Sequence, residues 1–158
     1  SKKDYNRAIQ MTEKQLATFT ENEDALWESR VILAQSCIMT NNWDKAAGLY
    51  TMLVDHFPDD IELKKELLRS MLEMKQYEKS LDILAGWING PYNDKEFFWK
   101  SRLDIITIIF GNGEYINVKE LIDKFEAEDP ELGGKELKSG FISLREKSLS
   151  KMKDGNPG

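Results

Sequence analysis

Cysteine and histidine often act as nucleophile and base in catalysis, and this chain has one of each. Cys37 lies in an apolar stretch with helical spacing, residues 32–39, where a thiol usually packs as a small hydrophobic side chain. His56 follows about five helical turns later, so the sequence places no base near the thiol. A single cysteine also excludes an intramolecular disulfide and a cysteine-based zinc site. These two residues therefore predict neither catalysis nor a bound metal or other cofactor.

Two further patterns could be taken for chemical sites, and local structure explains both. Acidic residues cluster at positions 59–60 and 126–129, but each cluster adjoins a proline at a predicted turn, where carboxylates cap helices or face solvent. The Gly-Asn-Gly segment at 111–113 lacks the G-x-x-x-x-G-K spacing of a phosphate loop and follows a predicted helix instead of a strand. The sequence therefore predicts a protein that is not an enzyme.

The composition predicts a folded acidic protein. The 158 residues include 22 Lys and Arg against 28 Asp and Glu, a formal net charge of −6. This charge argues against a nucleic-acid partner, because the phosphate backbone selects basic surfaces. Hydrophobic residues make up 41% of the chain, which is enough for a core. The longest apolar stretch, residues 103–110, is interrupted by Asp104 and Thr107 and is shorter than the roughly 18 residues of a membrane span, so we expect no membrane insertion.

The first residues suggest that the chain is part of a longer protein. It begins with Ser1-Lys2-Lys3, without an initiator Met, and enters a helical pattern almost at once. We therefore expect a fragment, whose parent protein would carry any targeting signal.

Helical periodicity extends along almost the whole chain. Apolar residues recur at three- and four-residue spacing, as in residues 63–72, whereas the alternating patterns typical of strands are missing. Segments rich in Gly, Pro, Asn and Asp interrupt the pattern at 58–60, 89–91, 111–113 and 129–134. The sequence thus predicts an all-α chain of short helices joined by short turns.

Polar residues at two of these turns can cap the helices that follow. Asp59 or Asp60 can cap a helix that starts near residue 61, and Asn93 or Asp94 can cap one that starts near residue 95. The last predicted helix, about 135–153, has a narrow apolar stripe and is otherwise polar, which is typical of a helix that ends an array.

Internal repetition groups the helices into pairs. Trp43 and Tyr77 are 34 residues apart, and their surroundings align without gaps. A third copy opens at Tyr115, 38 residues after the second, which places an insertion of about four residues near 90–95. Tyr5 opens what looks like the second half of a preceding unit.

A helix–turn–helix period of 34 residues with this pattern resembles the tetratricopeptide repeat (TPR). The best copy carries Leu33, Ala34, Trp43, Ala46, Tyr50 and Pro58. The resemblance covers about residues 4–130 and implies an all-α, right-handed superhelical array of antiparallel helix pairs, a TPR-like α-solenoid. The implied single domain consists of a half repeat at 4–24, repeats at 25–60 and 61–92, a longer divergent repeat at 93–130, a capping helix at 134–153 and a tail at 154–158.

Small residues should mark the close helix contacts of the implied pairs. Ala46 and Ser80 occupy equivalent positions in the first two full copies, where a short side chain lets two backbones approach. The third copy has the bulky Ile106 and Val118 at small-residue positions, so its two helices should cross at a different angle.

The resemblance also implies a binding surface, because the first helix of each pair lines the inner groove in this family. Members that bind chaperone C-termini hold two carboxylates with Lys and Asn, but Val31 and Gln35 stand at the required positions here, so we do not expect that specificity. Protein-binding residues are instead expected at Gln35, Ile38, Lys65, Arg69, Leu72, Lys100, Thr107 and Phe110.

Three cations distinguish the implied groove. Lys65 and Arg69 are four residues apart and share a helix face, and Lys100 comes from the next pair. Beside apolar side chains they favour a partner segment that carries acidic residues next to an apolar anchor. The alternative is a solvated helix face with intramolecular ion pairs, such as Arg69 with Glu66 or Glu73.

Three consecutive aromatic residues, Phe97, Phe98 and Trp99, point in three directions from a helix, so one core face cannot bury all of them. Either they pack against the inserted segment or the C-terminal helix, or they form a contact surface for a partner or for self-association. The sequence thus favours a protein-binding adaptor and leaves open a structural, self-associating array or the regulatory repeat segment of a larger enzyme.

Overall fold

A computed structural model describes residues 1–18 and 23–155, and every regular element in these ranges is an α-helix. The helices are α1 (Lys2–Thr18), α2 (Glu23–Met39), α3 (Trp43–His56), α4 (Ile61–Glu73), α5 (Tyr77–Ile88), α6 (Lys95–Gly111), α7 (Tyr115–Glu128) and α8 (Lys135–Lys153). Positions 19–22 of the expected half repeat and 156–158 of the expected tail lie outside the described residues. The all-α prediction is confirmed.

The chain divides into two compact units, Ser1–Ser80 and Leu81–Gly158. In the first unit α1 packs on α2, α2 on α3, and α3 on α4. In the second unit α6, α7 and α8 each pack against the other two. Helix α5 spans the division between the units.

Three of the turns between helices share one backbone pattern. Asn41, Lys75 and Gly113 follow α2, α4 and α6 and take left-handed φ angles of 56°, 58° and 83°. The residue after each of them donates its amide to the carbonyl five positions earlier, at 2.9, 3.0 and 3.4 Å. This bond closes the C-terminal end of each helix. The three left-handed residues are 34 and 38 positions apart, so the backbone repeats with the same spacing as the sequence.

Aspartate side chains fix the starts of two helices. The Asp60 carboxylate accepts a hydrogen bond from the Leu63 amide at 3.2 Å, and the Asp94 carboxylate accepts one from the Phe97 amide at 3.0 Å. Each bond satisfies an amide that has no partner within the helix. The sequence offered two candidate caps for each helix, Asp59 or Asp60 and Asn93 or Asp94, and the second residue of each pair is the cap.

The core of the first unit is built on small residues between helices. Ala46 is fully buried, as expected of a close helix contact, and the Cys37 thiol is also fully buried. Burial raises the pKa of that thiol, which keeps it protonated and packed as a hydrophobic group. The other buried apolar residues of α2, α3 and α4 are Leu33, Ala34, Ile38, Tyr50, Leu53, Val54, Leu67, Leu68 and Met71.

The core of the second unit is built on large aromatic rings. Trp99 of α6 packs edge-on against Phe125 of α7 and Phe141 of α8, with ring centroids 6.2 and 6.1 Å apart. Gly133, with φ of 86°, lies against the indole, and a Cβ atom at this position would approach Trp99 to 2.5 Å. The turn before α8 therefore requires a glycine for two reasons, backbone conformation and space.

The aromatic triplet is a packing feature of this core. Phe98 and Trp99 are 0% and 4% exposed, and Phe97 is half-buried. Trp99 packs against the C-terminal helix, as one of the two alternatives predicts, and Phe98 lies 5.7 Å from the Trp87 ring of α5. The other alternative, a contact surface for a partner or for self-association, stays a prediction that only the half-buried Phe97 could serve, because the other two rings are buried.

A buried charge accompanies these rings. The Arg102 side chain is 1% exposed, and its guanidinium lies 4.6 Å from the Trp99 ring and 4.2 Å from the Phe125 ring. Nη1 pairs with a carboxylate oxygen of Glu128 at 3.0 Å. Burial lowers the pKa of Arg102, and the nearby carboxylate opposes that shift. Two cation–π contacts and one ion pair thus stabilise the buried guanidinium of Arg102. The sequence analysis did not predict that this residue is buried.

Candidate functional site

A groove in the first unit, with a volume of about 580 Å³, runs along α2 and α4. Its floor and walls are mainly apolar, and Ile32 and Met39 of α2 remain 47% and 55% exposed there. Large apolar side chains exposed together usually mark a contact surface. The lining residues are Tyr5, Val31, Ile32, Gln35, Ser36, Ile38, Met39, Tyr50, Glu62, Leu63, Glu66 and Arg69.

Three of the expected binding residues, Gln35, Ile38 and Arg69, line this groove. Lys65 and Leu72 lie on α4 but are not part of the described lining. The groove therefore contains part of the expected set. The residues expected on α2 line it, whereas of those expected on α4 only Arg69 does.

The cations of α4 have carboxylate partners on their own helix. Lys65 Nζ lies 2.9 Å from a carboxylate oxygen of Glu62, and Arg69 Nη1 lies 3.7 Å from Glu66 Oε2. The Arg69 guanidinium also lies 5.7 Å from the centre of the Trp43 ring. The intramolecular ion pair of Arg69 with Glu66, one of the two interpretations of the basic cluster, is confirmed.

Two polar groups at the bottom of the groove were not predicted as site residues. Tyr50 lines the groove although it is only 2% exposed, and burial, with Glu66 as the next cause, raises its pKa to about 12. Its hydroxyl therefore stays protonated at neutral pH. Glu66 Oε2 is buried and has no hydrogen-bond partner among the described residues, because its distance to Arg69 is that of an ion pair only. Glu66 Oε2 is therefore a buried acceptor without a donor among the described residues, on a side chain that lines the groove.

A second cavity, of about 460 Å³, lies beside the first half of α2. Glu23, Asp24 and Glu28 provide three carboxylates to its lining, and Val31 lines both this cavity and the groove. The two cavities are therefore neighbours along α2. The remaining lining residues are Trp27, His56 and Phe57.

Trp27 in this second cavity contacts a histidine ring and a guanidinium. His56 stacks on its ring with centroids 3.8 Å apart and planes inclined by 13°, and the Arg30 guanidinium lies 4.5 Å from its centre. The only histidine of the chain thus packs against an aromatic ring at the end of α3.

The expected binding residues of the second unit lie on α6. Lys100 and Thr107 are exposed, and the Thr107 hydroxyl donates to the Leu103 carbonyl at 2.8 Å. Phe110 is half-buried and packs edge-on against Tyr115, with centroids 5.2 Å apart. The pKa of Asp104 is raised by burial and lowered to a smaller extent by Lys100, one helical turn away. The groove of the first unit is built without these residues.

The described residues contain no group of three or more His, Cys, Asp or Glu side chains that could hold a metal ion. Within the same ranges, no helix combines the length and the hydropathy that a membrane crossing requires. Comparison of the chain with protein-family models, curated proteins and solved structures finds no match.

Proposed function

We propose that this chain is a non-enzymatic protein-binding module with a TPR-like arrangement of helix pairs. The repeated turn supports the repeat assignment: the left-handed residues at 41, 75 and 113 follow the same spacing as the sequence copies. A local hydrogen-bond pattern that recurs with the sequence period is what an array of similar helix pairs requires.

The groove along α2 and α4 is the proposed binding surface, and one observation carries this proposal. Ile32 and Met39 leave about half of their side chains in solvent beside a groove that is large enough for the side chains of a partner segment. A helix or extended segment of a partner would cover both residues, with Gln35 and Ile38 between them on α2. Burial of these apolar groups would supply most of the affinity.

The test is affinity capture with the intact protein and with two matched double variants. Ile32→Glu with Met39→Glu places two charges in the groove at exposed positions, so helical content by circular dichroism should be unchanged. We expect capture of the partner to fall at least tenfold, which corresponds to about 1.4 kcal/mol. Met52→Glu with Ile116→Glu changes two residues that are 42% and 38% exposed and lie outside the groove, and this control should capture normally. Equal capture by both variants would remove the groove as the binding surface.

A further inference from the structure

The charges around the groove have the opposite sign to the one expected from the basic residues of the sequence. Glu62 and Glu66 line the groove itself, and Arg69 is the single cation of its described lining. The neighbouring cavity adds Glu23, Asp24 and Glu28, so the two linings hold five carboxylates. Three cations lie at this surface: Arg69 in the lining, Lys65 paired with Glu62, and Arg30 on the Trp27 ring.

We propose that the groove binds a basic amphipathic segment, in which Lys or Arg residues flank large apolar side chains. This inference rests on the proposed function and specifies the chemistry of the partner. Complementary charge raises the rate of association and selects the correct partner, while the apolar contacts supply affinity.

Glu66 is the residue that argues most directly for a cationic or N–H donor in the partner. Its Oε2 atom is buried without a hydrogen bond to any described residue, and its ion pair with Arg69 is 3.7 Å long. A buried carboxylate oxygen without a hydrogen bond costs free energy, and a Lys or Arg side chain of the partner would recover it. The Tyr50 hydroxyl, protonated at neutral pH, lines the same groove and can donate to a backbone carbonyl of the segment.

The second cavity extends this acidic surface along α2. Because Val31 lines both cavities, a segment in the groove can place a further cation beside the carboxylates of the first half of α2. The Trp27 ring already contacts His56 and Arg30, so the attraction there would come from Glu23, Asp24 and Glu28.

An acidic segment would meet unfavourable conditions at the same place. Lys65 and Arg69 already pair with Glu62 and Glu66, and a carboxylate of the partner would approach a surface on which carboxylates outnumber cations. The cations of α4 therefore neutralise carboxylates of their own helix instead of forming a site for an acidic ligand.

The experiment uses three synthetic amphipathic peptides of about 16 residues, long enough for roughly four helical turns. One combines Leu with Lys, the second Leu with Glu, and the third Ser with Lys. Fluorescence anisotropy with the whole protein should show binding of the Leu/Lys peptide and at least tenfold weaker binding of the other two. Raising the salt from about 0.05 to 0.5 M should weaken the Leu/Lys complex, because exposed charges are screened.

Charge-reversed variants locate the binding. Glu62→Lys with Glu66→Lys should weaken the Leu/Lys complex at least tenfold, whereas Glu120→Lys with Glu146→Lys, an equal change of net charge at exposed positions of the second unit, should change it less than about threefold. If the first variant loses helical content, Glu62→Gln with Glu66→Gln replaces it, with the corresponding Gln control.

The possible results separate the two proposals. Equal losses in variant and control would show general attraction to an acidic protein and would overturn the basic-segment inference. Tighter binding of the Leu/Glu peptide, lost in Ile32→Glu with Met39→Glu, would also overturn it but would retain the groove as a binding site. If no peptide binds in a way that depends on Ile32 and Met39, the proposed function fails as well.

Discussion

The first helices of two helix pairs, α2 and α6, have different surroundings. In the first unit, α2 borders an open groove, and Ile32 and Met39 stay about half exposed. In the second unit, α7 and α8 both pack against α6, and Trp99 of α6 is enclosed by two phenylalanines. Although α1 and α3 pack on α2 as α7 and α8 pack on α6, α2 leaves two large apolar side chains exposed beside a groove, whereas Trp99 of α6 is part of the core.

Each unit contains a charged side chain with buried polar atoms that have no hydrogen bond to a described residue. Arg102 in the second unit lies against two aromatic rings and pairs with Glu128, but its Nε and Nη1 atoms are buried without a hydrogen bond to any described residue. Glu66 in the first unit leaves one buried oxygen without a hydrogen bond, in a groove that a partner can enter. The two groups differ in access, because the Arg102 side chain is 1% exposed, whereas Glu66 lines the groove.

Removal of one aromatic ring should give the largest effect. Phe141 is fully buried against Trp99, so Phe141→Ala should lower the free energy of unfolding by about 3–5 kcal/mol. Met39→Ala in the groove, where the side chain is 55% exposed, should cost less than about 1 kcal/mol. Urea denaturation followed by circular dichroism measures the free energy of unfolding of both variants. Similar losses in the two variants would contradict the contrast between core and groove.

The next effect is a loss of stability at alkaline pH through Tyr50. Its pKa is raised from 10 to about 12, so the folded chain holds the phenolic proton more tightly than the unfolded chain does. The resulting stability is fully present below about pH 10 and disappears between about pH 10 and 12, a loss of about 2–3 kcal/mol. Denaturation of the wild type and of Tyr50→Phe across this range should isolate the contribution. Tyr92→Phe is the control, and a pH dependence that survives in Tyr50→Phe would contradict the assignment.

Overpacking the small-residue contact should have a smaller effect. Ala46 is fully buried in the first unit, so Ala46→Leu should destabilise the protein by about 1–3 kcal/mol. Ala127→Leu on the exposed side of α7 adds the same atoms in solvent and should change stability by less than about 0.5 kcal/mol. A tolerated Ala46→Leu, measured by thermal unfolding, would show that no close helix contact depends on this position.

Removal of a helix cap should have the smallest effect, and the loss of stability should be the same in both units. Asp60→Ala and Asp94→Ala each remove one helix cap and should each cost about 1 kcal/mol. Asp82→Ala, at an exposed position within α5, is the matched control. Clearly unequal losses in the two cap variants would mean that one helix start is held by more than its cap.

Local features of the fold could be predicted from the sequence because they depend on neighbouring residues. The caps at Asp60 and Asp94, the turn at 111–113 and the buried thiol of Cys37 all follow from residue types at short spacing. The all-α class follows from the same periodicity.

The candidate site could be predicted only in part. Gln35, Ile38 and Arg69 have the expected position, but Glu62, Glu66 and Tyr50 determine much of its polar character. Ile32 and Met39, seven residues apart, were a usable signal, since they form an apolar stripe beside the core stripe of α2. The alternatives for Arg69 could not be separated, because sequence spacing permits an ion pair without showing whether it forms.

Lys64 and Lys65 show where the information in the sequence ends. They have the same side chain at adjacent positions, yet Lys64 is 2% exposed with a pKa lowered by burial, whereas Lys65 is exposed and pairs with Glu62. Helical geometry places them about 100° apart around α4, and this the sequence determines. Which side is covered depends on residues far away in the chain. The sequence by itself therefore determined the helices, their caps and their repeated turns, and only the tertiary structure decided which faces became core and which border the groove.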